Sequence, residues 1–136
     1  MKASIIIPVF NNANFTEKCI LSLIKNTNNK LIDEIIVVNN ASTDNTKEVL
    51  DKFNYIKVSN QKININFAGA CNIGANLAKA EILIFLNNDT EVQNGWLEPI
   101  IDLYENNETL GAVGVKLIFP EGTIQHAGVP GFDGGR

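Results

Sequence analysis

Three short polar segments carry the side chains of this chain that could do chemistry. They are residues 8–12 (Pro-Val-Phe-Asn-Asn), residues 39–44 (Asn-Asn-Ala-Ser-Thr-Asp) and residues 87–89 (Asn-Asn-Asp). The carboxylate of Asp89 could hold a hard cation such as Mg²⁺ or Mn²⁺ and link it to a diphosphate. The asparagine side chains both donate and accept hydrogen bonds, which suits the edge of a nucleobase. Each segment taken alone is also typical of turns and helix caps. Ser42 and Asp44 are expected to cap the helix that follows them, and Glu91, just after the third segment, is expected to face solvent or to cap.

Apolar runs directly before these segments predict the strands that would position them. Five consecutive apolar residues at 82–86 predict a strand buried on both faces, as in a parallel sheet covered by helices. Residues 4–9 and 34–38 predict two further strands. Strands of a parallel sheet end at one edge, and ligands of open α/β sheets bind there. We therefore expect the three polar segments to form one site.

Strand and helix signals alternate along the rest of the chain. A helix at 15–26 has Asn14 as its expected N-cap, and the helices at 69–80 and 96–104 are expected to bury Leu77 and Leu103. The remaining predicted elements are a helix that begins after residues 42–44 and strands at 55–59, 112–119 and 123–129. This alternation predicts an α/β fold with a mainly parallel sheet and helices on both faces.

Composition restricts the classes of function. The 136 residues suit one domain, and a hydrophobic content of 45% permits a core. The net charge of -4 and the lack of a dense Lys/Arg patch argue against a nucleic-acid partner. Cys19 and Cys71 form no CxxC pair and have no histidine nearby, so neither zinc nor a disulfide framework is predicted. No apolar stretch approaches the roughly 18 residues of a membrane span.

Two common nucleotide-binding motifs can be tested directly. A dinucleotide-binding fold needs GxGxxG after the first strand, but residues 8–12 contain no glycine. A P-loop needs GxxxxGK[ST]; Gly69 and Gly74 have that spacing, yet Ala75 and Asn76 follow, so the phosphate-binding lysine is missing. Neither class of nucleotide site is therefore supported.

The polar segments and their strands resemble a known family, the family 2 glycosyltransferases. Four segments match its motifs in order and spacing: residues 4–11 (SIIIPVFN), 35–44 (IIVVNNASTD), 66–74 (NFAGACNIG) and 86–91 (LNNDTE). Residues 125–128 (QHAG) resemble a segment of one branch of the family. The resemblance covers nearly the whole chain. Asn39 and Asn87 stand where the family usually has Asp, and Cys71 where many members have Arg.

The resemblance implies a GT-A fold, in which residues 1–136 form a single nucleotide-sugar-binding domain and the acceptor-binding half lies outside it. The last residues, 128–136, carry no element signal, and we expect the chain to be a shortened form of a longer one. Asp89 would ligate Mg²⁺ or Mn²⁺. The resemblance places the nucleotide-sugar site at Pro8, Val9, Phe10, Asn11, Asn39, Asn72 (at a helix start), Asn87, Asn88 and Asp89.

The implied reaction is metal-dependent, inverting transfer of a sugar from a nucleotide diphosphate, UDP by default, to a glycan, lipid or polysaccharide acceptor. The implied location is the cytoplasm, including the inner face of the membrane. Asp133 has no spacing that would make it catalytic, and the catalytic base stays unassigned. His126 could approach a metal or diphosphate, but a structural or strand-surface position is expected for it. Three alternatives are a nucleotide-binding module without transfer activity, a nucleotidyltransferase and a structural domain. In the last case, apolar surface left by a missing half would promote self-association.

Overall fold

The computed structural model describes residues 1–128 and confirms the alternation of strands and helices. Residues 129–136, which hold Asp133, most of the predicted terminal loop and the end of the strand predicted at 123–129, lie outside this described part. The strands are β1 (Ala3–Val9), β2 (Ile32–Asn39), β3 (Lys57–Asn60), β4 (Ile82–Phe85), β5 (Leu117–Ile118) and β6 (Ile124–His126). The helices are α1 (Ala13–Asn26), α2 (Thr46–Leu50), α3 (Asn66–Leu77) and α4 (Glu98–Glu105), with a 3₁₀ turn at Asn29–Leu31.

Four of the strands form one parallel sheet in the order β3-β2-β1-β4. Ile5 of β1 lies between Ile35 of β2 and Ile84 of β4. The chain moves outward from β1 through β2 to β3 and then returns to the other side of β1 with β4. This reversal makes the carboxyl ends of β1 and β4 the point where open α/β sheets have their ligand crevice. The predicted α/β class is confirmed.

Alternate residues of the strands build cores on the two faces of the sheet. On one face, Ile5, Ile7 and Val37 pack with α1 and α2, while Ile82 packs with α4. On the other face, α3 lies across β1 and β2 and packs its Ala70 with strand residues of β2. Helices therefore cover both faces, as the continuous apolar runs predicted.

The apolar run of β4 is not buried on both faces, so that prediction is wrong. Leu83 is 37% exposed and Phe85 is 51% exposed. Both point to the α3 side of the sheet, because they pair with Ser4 and Ile6 of β1, which lie on that side. Within residues 1–128, α3 reaches across β1 and β2 and leaves this face of β4 bare.

Several predicted boundaries also shift. Helix α1 begins at Ala13 with Asn12 before it, rather than after Asn14, because Asp44 accepts a hydrogen bond from the Ala13 backbone N–H. The strand predicted at 112–119 is reduced to Leu117–Ile118. Leu77 and Leu103, expected inside, are about half exposed, since each lies on a helix face that no other described element covers. No helix among residues 1–128 has the length and apolar character to cross a membrane.

Candidate functional site

The three polar segments meet at the carboxyl edge of the sheet, and Asn11 joins them. Its backbone N–H donates to Ser42 Oγ at 2.9 Å, and its side-chain Oδ1 accepts from the backbone N–H of Thr43 at 2.8 Å. Its carbonyl oxygen accepts from Asn88 Nδ2 at 3.4 Å. One residue of the first segment therefore contacts both other segments. The predicted convergence of the segments is confirmed.

The backbone of this edge is held in a conformation that most residues avoid. Asn11 and Asn12 have φ of 58° and 61°, and Ala41 has φ of 62°. Asparagine tolerates this left-handed region, whereas alanine there carries strain of roughly 1–2 kcal/mol. Strained residues of this kind persist where the surroundings hold them, and they cluster at functional sites.

Asp44 fastens the start of two helices to this edge. Its Oδ2 accepts from Ala13 N at 3.1 Å, and its Oδ1 accepts from the backbone N–H of Thr46 at 3.1 Å and the Thr46 hydroxyl at 2.5 Å. Desolvation alone would raise the pKa of Asp44, but these hydrogen bonds outweigh it and hold the pKa below its usual value. The capping role expected for Asp44 is confirmed, while Ser42 bonds to Asn11 instead.

Asn39 and Asn40, at the end of β2, form a buried amide network. Asn39 Nδ2 donates to Asn60 Oδ1 at 2.9 Å, and its Oδ1 accepts from Ser42 N at 3.1 Å. Asn40 Nδ2 donates to Asn64 Oδ1 at 2.9 Å, while its Oδ1 accepts from the backbone N–H that precedes α3. An amide can make four hydrogen bonds, so these two leave one N–H and one lone pair of the buried Asn39 without a side-chain hydrogen bond among the described residues. Asn60 and Asn64 were not predicted; the abundance of Asn was their only signal.

The third segment places its acidic group at the surface. The backbone turns at Asn87, whose carbonyl accepts from Thr90 N at 3.1 Å, and Asp89 is exposed on this turn. Burial raises the pKa of the neighbouring Cys19 thiol to about 12, and the negative charges of Asp89 and Glu91 add to that rise. Both carboxylates therefore lie near Cys19, in the middle of α1, and Glu91 faces solvent as expected.

A divalent cation fits these residues only with help from a ligand. Among the described residues, no three His, Cys, Asp or Glu side chains come together as a metal-binding group. Mg²⁺ is commonly held by one or two carboxylates together with substrate phosphates and water. The exposed Asp89 suits that mode of binding, and a metal site complete in the protein alone is not expected.

The other predicted site residues differ in their exposure. Pro8 and Val9 are buried in β1, and Val9 belongs to the core, while its carbonyl accepts from Asn40 N at 2.7 Å. Phe10 is 47% exposed beside Asn11. Asn72 lies exposed in the second turn of α3, so its predicted place at a helix start is wrong, because α3 already begins at Asn66. No hydrogen bond between described residues joins Asn72 to the three segments.

A buried carboxylate lies at the opposite edge of the sheet. Glu34 accepts from Ser4 Oγ at 2.9 Å and from Lys79 N at 2.6 Å, and it pairs with Lys57. Burial favours the neutral form of Glu34, but these partners outweigh it and lower the pKa. Glu34 therefore ties β1, β2, β3 and the segment before β4 together. His126 is exposed on β6, the surface position expected for it.

Comparison with known proteins agrees with this geometry. The family model "Glycosyl transferase family 2" matches residues 4–126. The O-antigen biosynthesis protein RfbC of Myxococcus xanthus is 35% identical over 132 residues, which is 94% of this chain and 10% of that protein. Glycosyltransferase GlyG of Streptococcus pneumoniae serotype 4 is 27% identical over 115 residues, which is 82% of this chain and 38% of that protein.

A solved structure shares the fold. The crystal structure of S. aureus TarS 1-349 in complex with UDP-GlcNAc superposes with a TM-score of 0.71 at 25% identity. The match covers 79% of this chain and 32% of that chain. This chain thus spans between a tenth and about two fifths of the proteins that it resembles.

Proposed function

This chain belongs to glycosyltransferase family 2, and we propose that residues 1–136 form the nucleotide-sugar-binding domain of a sugar-transferring enzyme. One observation carries the proposal. Asn11 joins the three polar segments, each part of a family motif, at the carboxyl edge of β1, β2 and β4, which is the edge where open α/β sheets bind their ligands. The exposed carboxylate of Asp89 lies on one of these motifs.

The donor that we propose is a UDP-sugar. The TarS structure with UDP-GlcNAc supports this choice through its shared fold. The free lone pair of Asn39 Oδ1 could accept from the N–H of a uracil ring, which thymine also carries. Phe10 lies next to Asn11, is about half exposed, and offers an apolar surface for a nucleoside. Pro8 and Val9 would support the pocket from the core, while Asn72 would reach it from α3.

The proposed reaction is an inverting displacement at the anomeric carbon. The bond between sugar and diphosphate breaks while an acceptor hydroxyl attacks, so negative charge grows on the leaving diphosphate. A Mg²⁺ or Mn²⁺ ion would stabilise that charge. Asp89 would hold the cation against the diphosphate, and Asn87 and Asn88 would shape the turn that presents it. The acceptor that we propose is a glycan, lipid or polysaccharide, and its general base stays unassigned.

Isothermal titration of the chain with UDP, dTDP and GDP, each with Mn²⁺ and with EDTA, tests the proposal. Asp89→Asn removes the carboxylate charge and keeps the shape of the side chain. Glu91→Gln is the matched control, since it removes an equal charge two residues away. We expect Mn²⁺-dependent binding of UDP by the wild type and by Glu91→Gln, and its loss in Asp89→Asn.

The outcomes separate the candidate functions. Binding without sugar transfer to an added acceptor would favour the binding-module alternative. Equal Mn²⁺-dependent binding by Asp89→Asn and wild type would refute the metal assignment. Light scattering on the same sample tests the expected self-association, because Leu83 and Phe85 expose apolar surface on β4.

A further inference from the structure

Helix α1 presents a row of short hydrogen-bonding side chains to the segment that follows β4. The row consists of Thr16, Cys19, Ser22 and Asn26. Residues three and four positions apart share one face of a helix, so this row runs along a single side of α1. The row lies next to residues 87–92, which carry Asp89.

Each member of the row contacts a polar atom of residues 87–92. Thr16 Oγ1 accepts from Asn88 Nδ2 at 3.0 Å, and Cys19 Sγ lies 3.6 Å from the carbonyl oxygen of Asn87 as a weak donor. Ser22 Oγ accepts from the backbone N–H of Val92 at 3.0 Å. The segment is therefore bonded to α1 at both of its ends.

The far end of the segment is held through both backbone polar groups of one residue, Val92. Asn26 Nδ2 donates to the carbonyl oxygen of Val92 at 2.8 Å, while Ser22 accepts from the N–H of the same residue. Ser22 in turn donates to the Cys19 carbonyl at 2.8 Å, which fixes the orientation of its hydroxyl. Thr16, Ser22 and Val92 are all buried, so water cannot easily replace these bonds.

We propose that Thr16, Ser22 and Asn26 of α1 are positioning residues that hold the 87–92 turn so that Asp89 presents its carboxylate to the metal–diphosphate. This inference rests on the proposed function of Asp89. Asp89 itself is exposed and lies between the two bonded ends of the segment, so its direction depends on them. Outer partners of this kind orient metal ligands, and their loss weakens metal binding.

Thr16→Val removes the hydroxyl that Asn88 uses and keeps the shape of the side chain, whereas Thr16→Ser keeps the hydroxyl. Ser22→Ala removes the acceptor for Val92 N–H. Lys18→Ala changes an exposed residue of the same helix and serves as the control. Two measurements on the 136-residue chain are needed: amide hydrogen exchange of residues 87–92, and UDP titration with Mn²⁺ and with EDTA.

In Thr16→Val and Ser22→Ala, exchange at residues 87–92 should become about fivefold faster or more, while the amides of β1 and β2 keep their protection. The Mn²⁺-dependent part of UDP affinity should fall roughly 10-fold. Thr16→Ser and Lys18→Ala should both show the exchange rates and the Mn²⁺-dependent UDP affinity of the wild type. If Thr16 and Ser22 contributed only to overall stability, their loss would destabilise the fold but would not specifically lower the Mn²⁺-dependent part of the UDP affinity.

If hydrogen exchange at residues 87–92 is unchanged in both Thr16→Val and Ser22→Ala, the inference is overturned, whatever the UDP affinity of these variants. Faster exchange with undiminished Mn²⁺-dependent UDP affinity would also overturn it. If the wild type shows no Mn²⁺-dependent binding, the proposed function fails and the role in presenting Asp89 falls with it. The exchange result would then still report whether α1 fastens the turn.

Discussion

Gly74 is the position where a single added methyl group should do the most damage to the frame of the site. Helix α3 lies so close to β1 there that a Cβ on Gly74 would overlap Ile6 Cγ2 and lie 3.3 Å from Ile6 Cβ and Cγ1. Optimal carbon contacts are about 3.5–4.0 Å. Ile6 is fully buried and its branched side chain has little rotamer freedom, so α3 or β1 must move.

The expected cost follows from two opposing effects. Overpacking a filled core typically costs about 1–3 kcal/mol, and this overlap belongs at the upper end of that range. Replacing glycine by alanine in a helix interior stabilises the helix by about 1 kcal/mol. Gly74→Ala should therefore lower the free energy of unfolding by about 2 kcal/mol. Gly69→Ala is the matched control on α3, because its Cβ would meet only the side chain of Ile65 at 3.2–3.3 Å.

Urea unfolding followed by circular dichroism measures both variants. We expect Gly69→Ala to stay within about 1 kcal/mol of the wild type, since its helix propensity gain offsets mild crowding. Combining Gly74→Ala with Ile6→Ala removes the overlapping methyl, so the double variant should lose less stability than the sum of the two single variants. Equal stability of Gly74→Ala and Gly69→Ala would refute the account of close packing.

Three further predictions concern charge, backbone strain and capping. Glu34→Gln should cost about 2 kcal/mol at pH 7 by weakening bonds to a buried carboxylate. Because the folded pKa of Glu34 lies below the unfolded value of about 4.3, its contribution is present above that value and is lost as pH falls through the folded pKa. Urea unfolding from pH 7 to pH 3 should show a steeper loss for the wild type than for the variant, and parallel profiles would contradict this. Ala41→Val should lower stability by at least about 1 kcal/mol, because a β-branched residue fits φ of 62° poorly. In Ala41→Gly the relief of strain is largely offset by the greater entropy of the unfolded chain, so that variant should be nearly neutral. Equal melting temperatures of Ala41→Val and Ala41→Gly would disprove the strain. Asp44→Ala should cost about 1–2 kcal/mol in thermal unfolding through lost capping, and Asp44→Asn less, since the amide keeps an acceptor; a larger loss in Asp44→Asn would exclude capping as the cause.

The outline of the fold was predictable because it depends on short-range patterns. The apolar runs at 4–9, 34–38 and 82–86 identify β1, β2 and β4. Parallel strands end at one edge, so the polar segments after these runs had to share that edge. Asp44 as a cap and Glu91 at the surface also follow from local preferences.

The errors about burial have one physical origin, since burial depends on which elements pack together. The apolar run of β4 resembles a doubly buried strand, yet α3 covers β1 and β2 and leaves Phe85 exposed. Leu77 and Leu103 fit the helical period, but their faces have no described neighbour. Periodicity shows which residues share a face and leaves open what covers that face.

By itself, the sequence determined the α/β class, the family and the edge of the sheet where the site lies, because these follow from periodicity, motif order and strand direction. Only the tertiary structure decided that Asn11 joins the three segments and that Thr16 and Ser22 fasten the turn of Asp89. It also revealed that Glu34 is a buried charge. These contacts join residues 30 to 77 positions apart, so no local pattern encodes them.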